Sequence, residues 1–159
     1  MTPTLRPFHL AFPVADLAAT RQFYTTILGC TVGREAKTWI DFNFFGHQLT
    51  AHLSLEAQSI AGTNWVDQHQ VPVRHCGVVL TMADWQTLAK RLQQCNIEFI
   101  IEPHIRFQGQ VGEQATLFFL DPCGNALEFK AFADDAALFA VSPPAPAATA
   151  DPITGSTQA

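Results

Sequence analysis

Apolar residues alternate along "FHLAFPV", with Phe8, Leu10, Phe12 and Val14 on one face and His9 and Ala11 on the other. That period of two predicts a strand with one side in a core. Asp16 then stands where a helix N-cap is wanted, ahead of "LAATRQFYTTIL". Leu17, Phe23, Tyr24, Ile27 and Leu28 form its apolar stripe, and Gly29 ends it. Three strand patterns follow: residues 30–35, "TWIDFNFF" and "HQLTAHLSL", the last two separated by a turn at Gly46.

The second half repeats this plan. "VPVRHCGVVL" predicts a strand, and Asp84 is placed to cap a helix through "WQTLAKRLQQC". "IEFIIEPHIRF", "EQATLFFLD" and "NALEFKAF" predict three more strands, with "DPCGN" as the turn before the last. The fold class is therefore α+β: two βαβββ modules forming a curved mixed sheet around a cavity. Module one spans about 7–56 and module two about 71–134, joined by a polar linker near 56–71. Residues 1–141 read as one domain. From Ser142 the chain turns to Pro, Ala, Ser and Thr with few large apolar residues, so 142–159 is expected to be a disordered tail.

A sheet covered by helices on one side frees its other face for polar chemistry. Parity along the strands shows which side chains fall there. In the fourth strand Leu49, Ala51, Leu53 and Leu55 are core-facing, and Gln48, Thr50, His52 and Ser54 oppose them. In the last strand Leu127, Phe129 and Ala131 pack, with Glu128 and Lys130 opposite. In "RHCGVVL" Cys76, Val78 and Leu80 would pack and leave His75 on the cavity side. A single half-buried His is usually a hydrogen-bonded structural residue, and a lone Glu128 would pass for a solvated edge carboxylate. The set of four metal-capable side chains carries more weight: His9 and His75 occupy matching places of a duplicated unit, and His52 and Glu128 both lie on the closing strand of their module. Two imidazoles and one carboxylate with open positions suit a divalent metal, above all non-haem Fe(II). His47, His69 and His104 read as loop or turn residues.

Composition narrows the function classes. The net charge is −5 and no Lys/Arg cluster occurs, which argues against nucleic acid or an anionic membrane as partner. No stretch approaches the roughly 18 apolar residues of a membrane span, and no secretory leader is evident. A cytoplasmic location is expected, with the four scattered cysteines as reduced, mostly buried thiols.

"FHLAFPVADLAATRQFYTTILGC", "RHCGVVL" and "FFLDPCGNALEFKAF" resemble the vicinal oxygen chelate superfamily, which includes glyoxalase I, bleomycin-resistance proteins, methylmalonyl-CoA epimerase and extradiol dioxygenases. The finer stretches "WIDFNFFGHQLTAHLSL" and "IEPHIRFQGQVGEQATLFFLDPCGNALEFKAF" are similar to a small one-domain branch described as extradiol-type dioxygenases. The resemblance implies metal ligands at His9, His75 and Glu128. It puts the remaining family position, on the fourth strand, at or beside His52, where a glyoxalase I would carry a carboxylate.

What the resemblance implies chemically is capture of two neighbouring substrate oxygens by the metal. For a dioxygenase, two neutral imidazoles and one carboxylate keep the site's charge low enough to accept a dianionic catecholate. His52 is then the candidate acid/base, with metal ligation or a hydrogen bond to substrate as the other roles open to it. The cofactor expected is Fe(II), with Mn, Ni, Zn and Co as other candidates. Three alternatives stay open: a lyase or isomerase of the glyoxalase or epimerase type, a non-catalytic ligand-binding protein, and a purely structural domain. A small-molecule substrate and a homodimer are the partners implied, with the cavity lying either within one chain or between two.

Overall fold

The predicted alternation becomes β1 (His9–Val14), whose residues run exposed and covered in turn until the buried Val14. The computed structural model describes residues 5–54, 62–66 and 68–141. Asp16 caps α1 (Leu17–Gln22) as expected, its carboxylate accepting from the Ala18 and Ala19 amides. The helix then widens into a π-turn over Phe23–Ile27, closed by the Leu28 amide donating to the Phe23 carbonyl. Next come β2 (Thr31–Ala36), β3 (Trp39–Phe44) and β4 (His47–Leu53), in a sheet of order β1-β4-β3-β2.

The segment expected to be a polar linker instead carries a hairpin, β5 (Thr63–Val66) and β6 (His69–Pro72). Val71 is buried in a small cluster with Ile101, Phe118 and Ala126, and Val66 packs against it, so two apolar residues suffice to dock an otherwise polar ribbon. The second strand-helix junction also departs from expectation. Only β7 (Val79–Leu80) forms a ladder, with an isolated bridge at Cys76. Between them Gly77 runs so close to β10 that a Cβ there would strike the Glu128 carbonyl. Thr81, not Asp84, is the N-cap of α2 (Met82–Gln94). Thr81 and Asp84 bond reciprocally: the Thr81 hydroxyl donates to the Asp84 carboxylate, and the Asp84 amide donates back. β8 (Phe99–Arg106), β9 (Gln114–Leu120) and β10 (Ala126–Phe132) complete a second sheet of order β7-β10-β9-β8.

The two modules share one core. Tyr24, Phe42 and Phe44 of module one lie in the same cluster as Trp85, Phe119 and Phe129 of module two. Phe44 and Phe129 meet with ring centres 5.7 Å apart, and Phe23 meets Phe119 at 6.2 Å. The "DPCGN" turn locks the join. Asp121 accepts from the amides of Cys123 and Asn125, and the Asn125 side chain donates to the Pro13 carbonyl of β1. Tyr24 is fully buried, as its helical position predicted, and its hydroxyl donates to Asp121 at 3.3 Å. The helix-covered faces of both sheets are thus spent on the shared core, and the other faces lie outward on its two sides. Phe8 and Leu53, expected on the core side, are substantially exposed because each stands at the rim.

Candidate functional site

β10 alternates strictly: Leu127, Phe129 and Ala131 are buried in the core, and Glu128 and Lys130 project from the outer face. His75 reaches the same place from the irregular stretch before β7, where Gly77 permits the close approach. Its Nε2 stands 3.2 Å from Glu128 Oε2, with side chains 33% and 13% exposed. The other ring nitrogen, Nδ1, lies 2.9 Å from the Pro72 carbonyl. A carbonyl only accepts, so Nδ1 holds the proton and Nε2 presents a bare lone pair in the neutral ring. A lone pair and a carboxylate oxygen at that separation repel unless a proton or a cation lies between them. The donor set therefore fits a cation, and the Pro72 carbonyl orients the ring as second partners of ligating histidines do. Phe118 packs edge-on against His75 with centroids 5.0 Å apart and fixes its plane.

Glu128 is held from two further sides. Thr116 on β9 donates to Oε1 at 3.0 Å, and Lys130 Nζ lies 3.3 Å from Oε2. The β5–β6 hairpin roofs this face, enclosing a cavity of about 380 Å³ lined by Trp65, His75, Arg106, Glu128 and Lys130 with apolar Val66, Val71, Ile101 and Phe118. Strand parity anticipates Lys130 and His75 on the face of Glu128, but not the hairpin or the Thr116 bond.

Module one carries the other two candidates. His9 is exposed on the edge strand β1, and its backbone is in register with Gln48. His52 is exposed on β4, in register with Pro13. Four residues separate His9 from Pro13 along β1, about 13 Å of strand, so His9 and His52 cannot share one ion. The ladders also define equivalent positions. Leu10 pairs with Leu49 and Cys76 with Leu127. Superposing these pairs puts Thr50 where Glu128 stands and His52 where Lys130 stands. Thr50 is buried and donates to Asp41 Oδ1 at 2.6 Å. Asp41 also receives Gln48 at 3.0 Å and both Nε and Nη2 of Arg34. Burial pushes the Asp41 carboxyl up, but the hydrogen bonds from Thr50, Arg34 and Gln48 and the Arg34 charge outweigh it and hold it below the usual value.

Among the described residues, no three His, Cys, Asp or Glu side chains lie close enough together to hold a metal. One chain therefore unites His75 with Glu128 and does not bring His9 or His52 into a three-ligand group with them. His47 serves structure, its Nδ1 accepting from the Phe8 amide at 3.2 Å. His69 lies in β6, and His104 in β8 has Nδ1 2.8 Å from the Glu102 carbonyl. All four cysteines are free; Cys30 is buried, Cys76 and Cys123 are partly covered, and Cys95 is exposed.

Comparison with known proteins gives the site a lineage. The family model of the glyoxalase/bleomycin resistance protein/dioxygenase superfamily matches residues 6–129. The chain belongs to this superfamily. A glyoxalase/bleomycin resistance protein/dioxygenase from Alicyclobacillus acidocaldarius is 34% identical, with a TM-score of 0.71 over 87% of this chain and 100% of the other. A lactoylglutathione lyase from Agrobacterium tumefaciens (18% identity, TM-score 0.56) is matched over 82% of this chain and 96% of its own. A fosfomycin resistance protein from Listeria monocytogenes (17% identity, TM-score 0.56) is matched over 82% of this chain and 94% of its own. At the identities of the last two, the likeness is one of fold. No curated protein matches. No helix among the described residues is long and apolar enough to cross a membrane.

Proposed function

We propose that this superfamily member is a metal-dependent enzyme, an extradiol-type dioxygenase acting on a small molecule with neighbouring oxygens. The observation that supports the metal reading is His75 Nε2 set 3.2 Å from the Glu128 carboxylate, with Nδ1 turned to the Pro72 carbonyl, a donor pair that a cation can bridge. His9 supplies the third ligand, from the position on β1 that matches His75. Since one chain keeps His9 apart from the pair, it comes from a second copy. Support lies in the open edges: β1 ends one four-stranded sheet and β7 ends the other. A two-fold axis can lay β1 of each protomer beside β7 of its partner and build two identical cups.

Fe(II) is the ion this two-His, one-carboxylate set suits best, and when bound it supplies electrons and open positions for dioxygen and a chelating substrate. The chain's own residues do the rest. His75 and Glu128 fix the ion's place on module two, and the hairpin with Trp65 limits water access. His52, on the outer face it shares with His9, is proposed as the acid/base that takes a phenolic proton of the substrate. The proposal is tested by elemental analysis of protein purified without oxygen, followed by oxygen-consumption assays with catechols. Iron near one per chain, with uptake, is expected. Another metal without uptake would replace the dioxygenase with a lyase or isomerase, and failure to bind any divalent ion would leave a ligand-binding protein.

A further inference from the structure

Module two's cavity holds more positive charge than an iron site needs. Lys130 and Arg106 both line it, together with the single carboxylate of Glu128. Glu128 is already engaged by Thr116 and faces His75, so the Lys130 ammonium spends one of its three donors on Oε2 and keeps the others for the cavity, where its side chain is 36% exposed. Arg106 stands two strands away, its register partner Gln114 pairing in turn with Phe132 on β10. Lys130 lies two residues along β10 from Phe132, so two strand spacings and that offset separate the backbones by about 12 Å, a gap that two long side chains can close onto one small anion. Between them and His75 the walls are apolar: Val66, Val71, Ile101 and Phe118. Trp65, 68% exposed, adds a flat aromatic surface at the rim.

We infer that the ligand of this cavity is a carboxylated, planar, largely apolar small molecule, with its carboxylate held by Lys130 and Arg106. The inference rests on reading this cavity as the substrate site, and it names the substrate class: an aromatic acid whose neighbouring oxygens point toward His75 and Glu128. Guanidinium and ammonium groups together in a partly dry pocket favour a carboxylate strongly over an uncharged isostere, because charge-assisted hydrogen bonds are the strong ones. Arg106 also lies over the Phe107 ring at 5.1 Å.

The test uses metal-free protein with benzoate and benzamide as probes, so that it stands apart from any metal. Binding is followed through the indole N–H resonance of Trp65, assigned by its loss in Trp65→Phe. Benzoate is expected to bind at least about tenfold more tightly than benzamide. Lys130→Met should reduce that preference, Lys130→Met with Arg106→Met should erase it, and Lys130→Arg should retain it. Glu128→Gln, which removes the competing carboxylate, should tighten benzoate further. Equal affinity for the two probes in the wild type, or a preference that survives the loss of both Lys130 and Arg106, would overturn the inference. A parallel Fe(II) titration separates the two readings. A retained benzoate preference without metal binding sinks only the metal centre, and metal binding without the preference sinks only the carboxylate.

Discussion

The outer faces of the two modules are built on the same ladder and do opposite things. In module one, Asp41 on β3 faces Thr50 on β4, and every oxygen it offers is taken by Thr50, Gln48 or Arg34. In module two the acid has moved to the other strand of the pair. Phe118 stands on β9 where Asp41 stands on β3, and Glu128 faces it from the position of Thr50. An acid ringed by fixed donors is a structural device. Among the described residues Glu128 is held on Oε1 by Thr116 alone, shares Oε2 between Lys130 and His75, and opens on a cavity, which makes it a place for a ligand. Each of these two cross-strand pairs carries one acid, so partners, not residue type, decide the role.

The largest effect expected from breaking this contrast is on metal binding. Glu128→Ala or His75→Ala should weaken Fe(II) by at least about 100-fold in an anaerobic titration, since each removes a ligand rather than a supporting contact. Neither should cost more than about 1 kcal/mol of stability in urea unfolding. Asp41→Ala should give the reverse: a stability loss of about 2–3 kcal/mol from orphaned donors, with Fe(II) affinity unchanged.

A smaller effect sharpens the same point through pH. The Asp41 carboxyl is held below its ordinary 3.8, so folding is stabilised by its ionised form. That stabilisation is complete above the unfolded value and disappears as pH falls through the lower folded one. Urea midpoints of wild type and Asp41→Asn should therefore differ at pH 7 and converge in acid. Asp121 has the opposite sign. Burial raises its carboxyl against hydrogen bonds from Asn125, Cys123 and Tyr24, so its contribution declines as pH rises from the unfolded value through the folded one. Replacing its partner, Tyr24→Phe, should cost about 1 kcal/mol, read from the same unfolding curves.

Much of the fold was legible because local chemistry and tertiary packing agree. β1 alternates as its residues demand, Asp16 caps α1, and the turn at "DPCGN" forms around Asp121. The hairpin was not legible, since only Val66 and Val71 among polar neighbours mark it, and their burial depends on a sheet far along the chain. The Thr81 cap had a readable signal, a Thr three residues before Asp84, which the stronger prior for Asp as cap obscured. Strand parity assigned Glu128 and His75 to one face and brought them together. It could not reveal that Thr50 rather than His52 matches Glu128, because equivalence depends on which residues pair across β1–β4 and β7–β10. Nor could it reveal that β1 and β7 border different sheets.

The central claim is that one ion is gripped by His9 of one protomer and by His75 and Glu128 of another. A heterodimer of His9→Ala and His75→Ala chains, carrying different affinity tags and purified through both, tests it by Fe(II) titration. Each parent homodimer lacks a ligand at both sites and should bind no ion tightly, whereas the heterodimer regains one intact set and should bind one. A heterodimer as poor as its parents, or variants that run as monomers at the titration concentration, would contradict it.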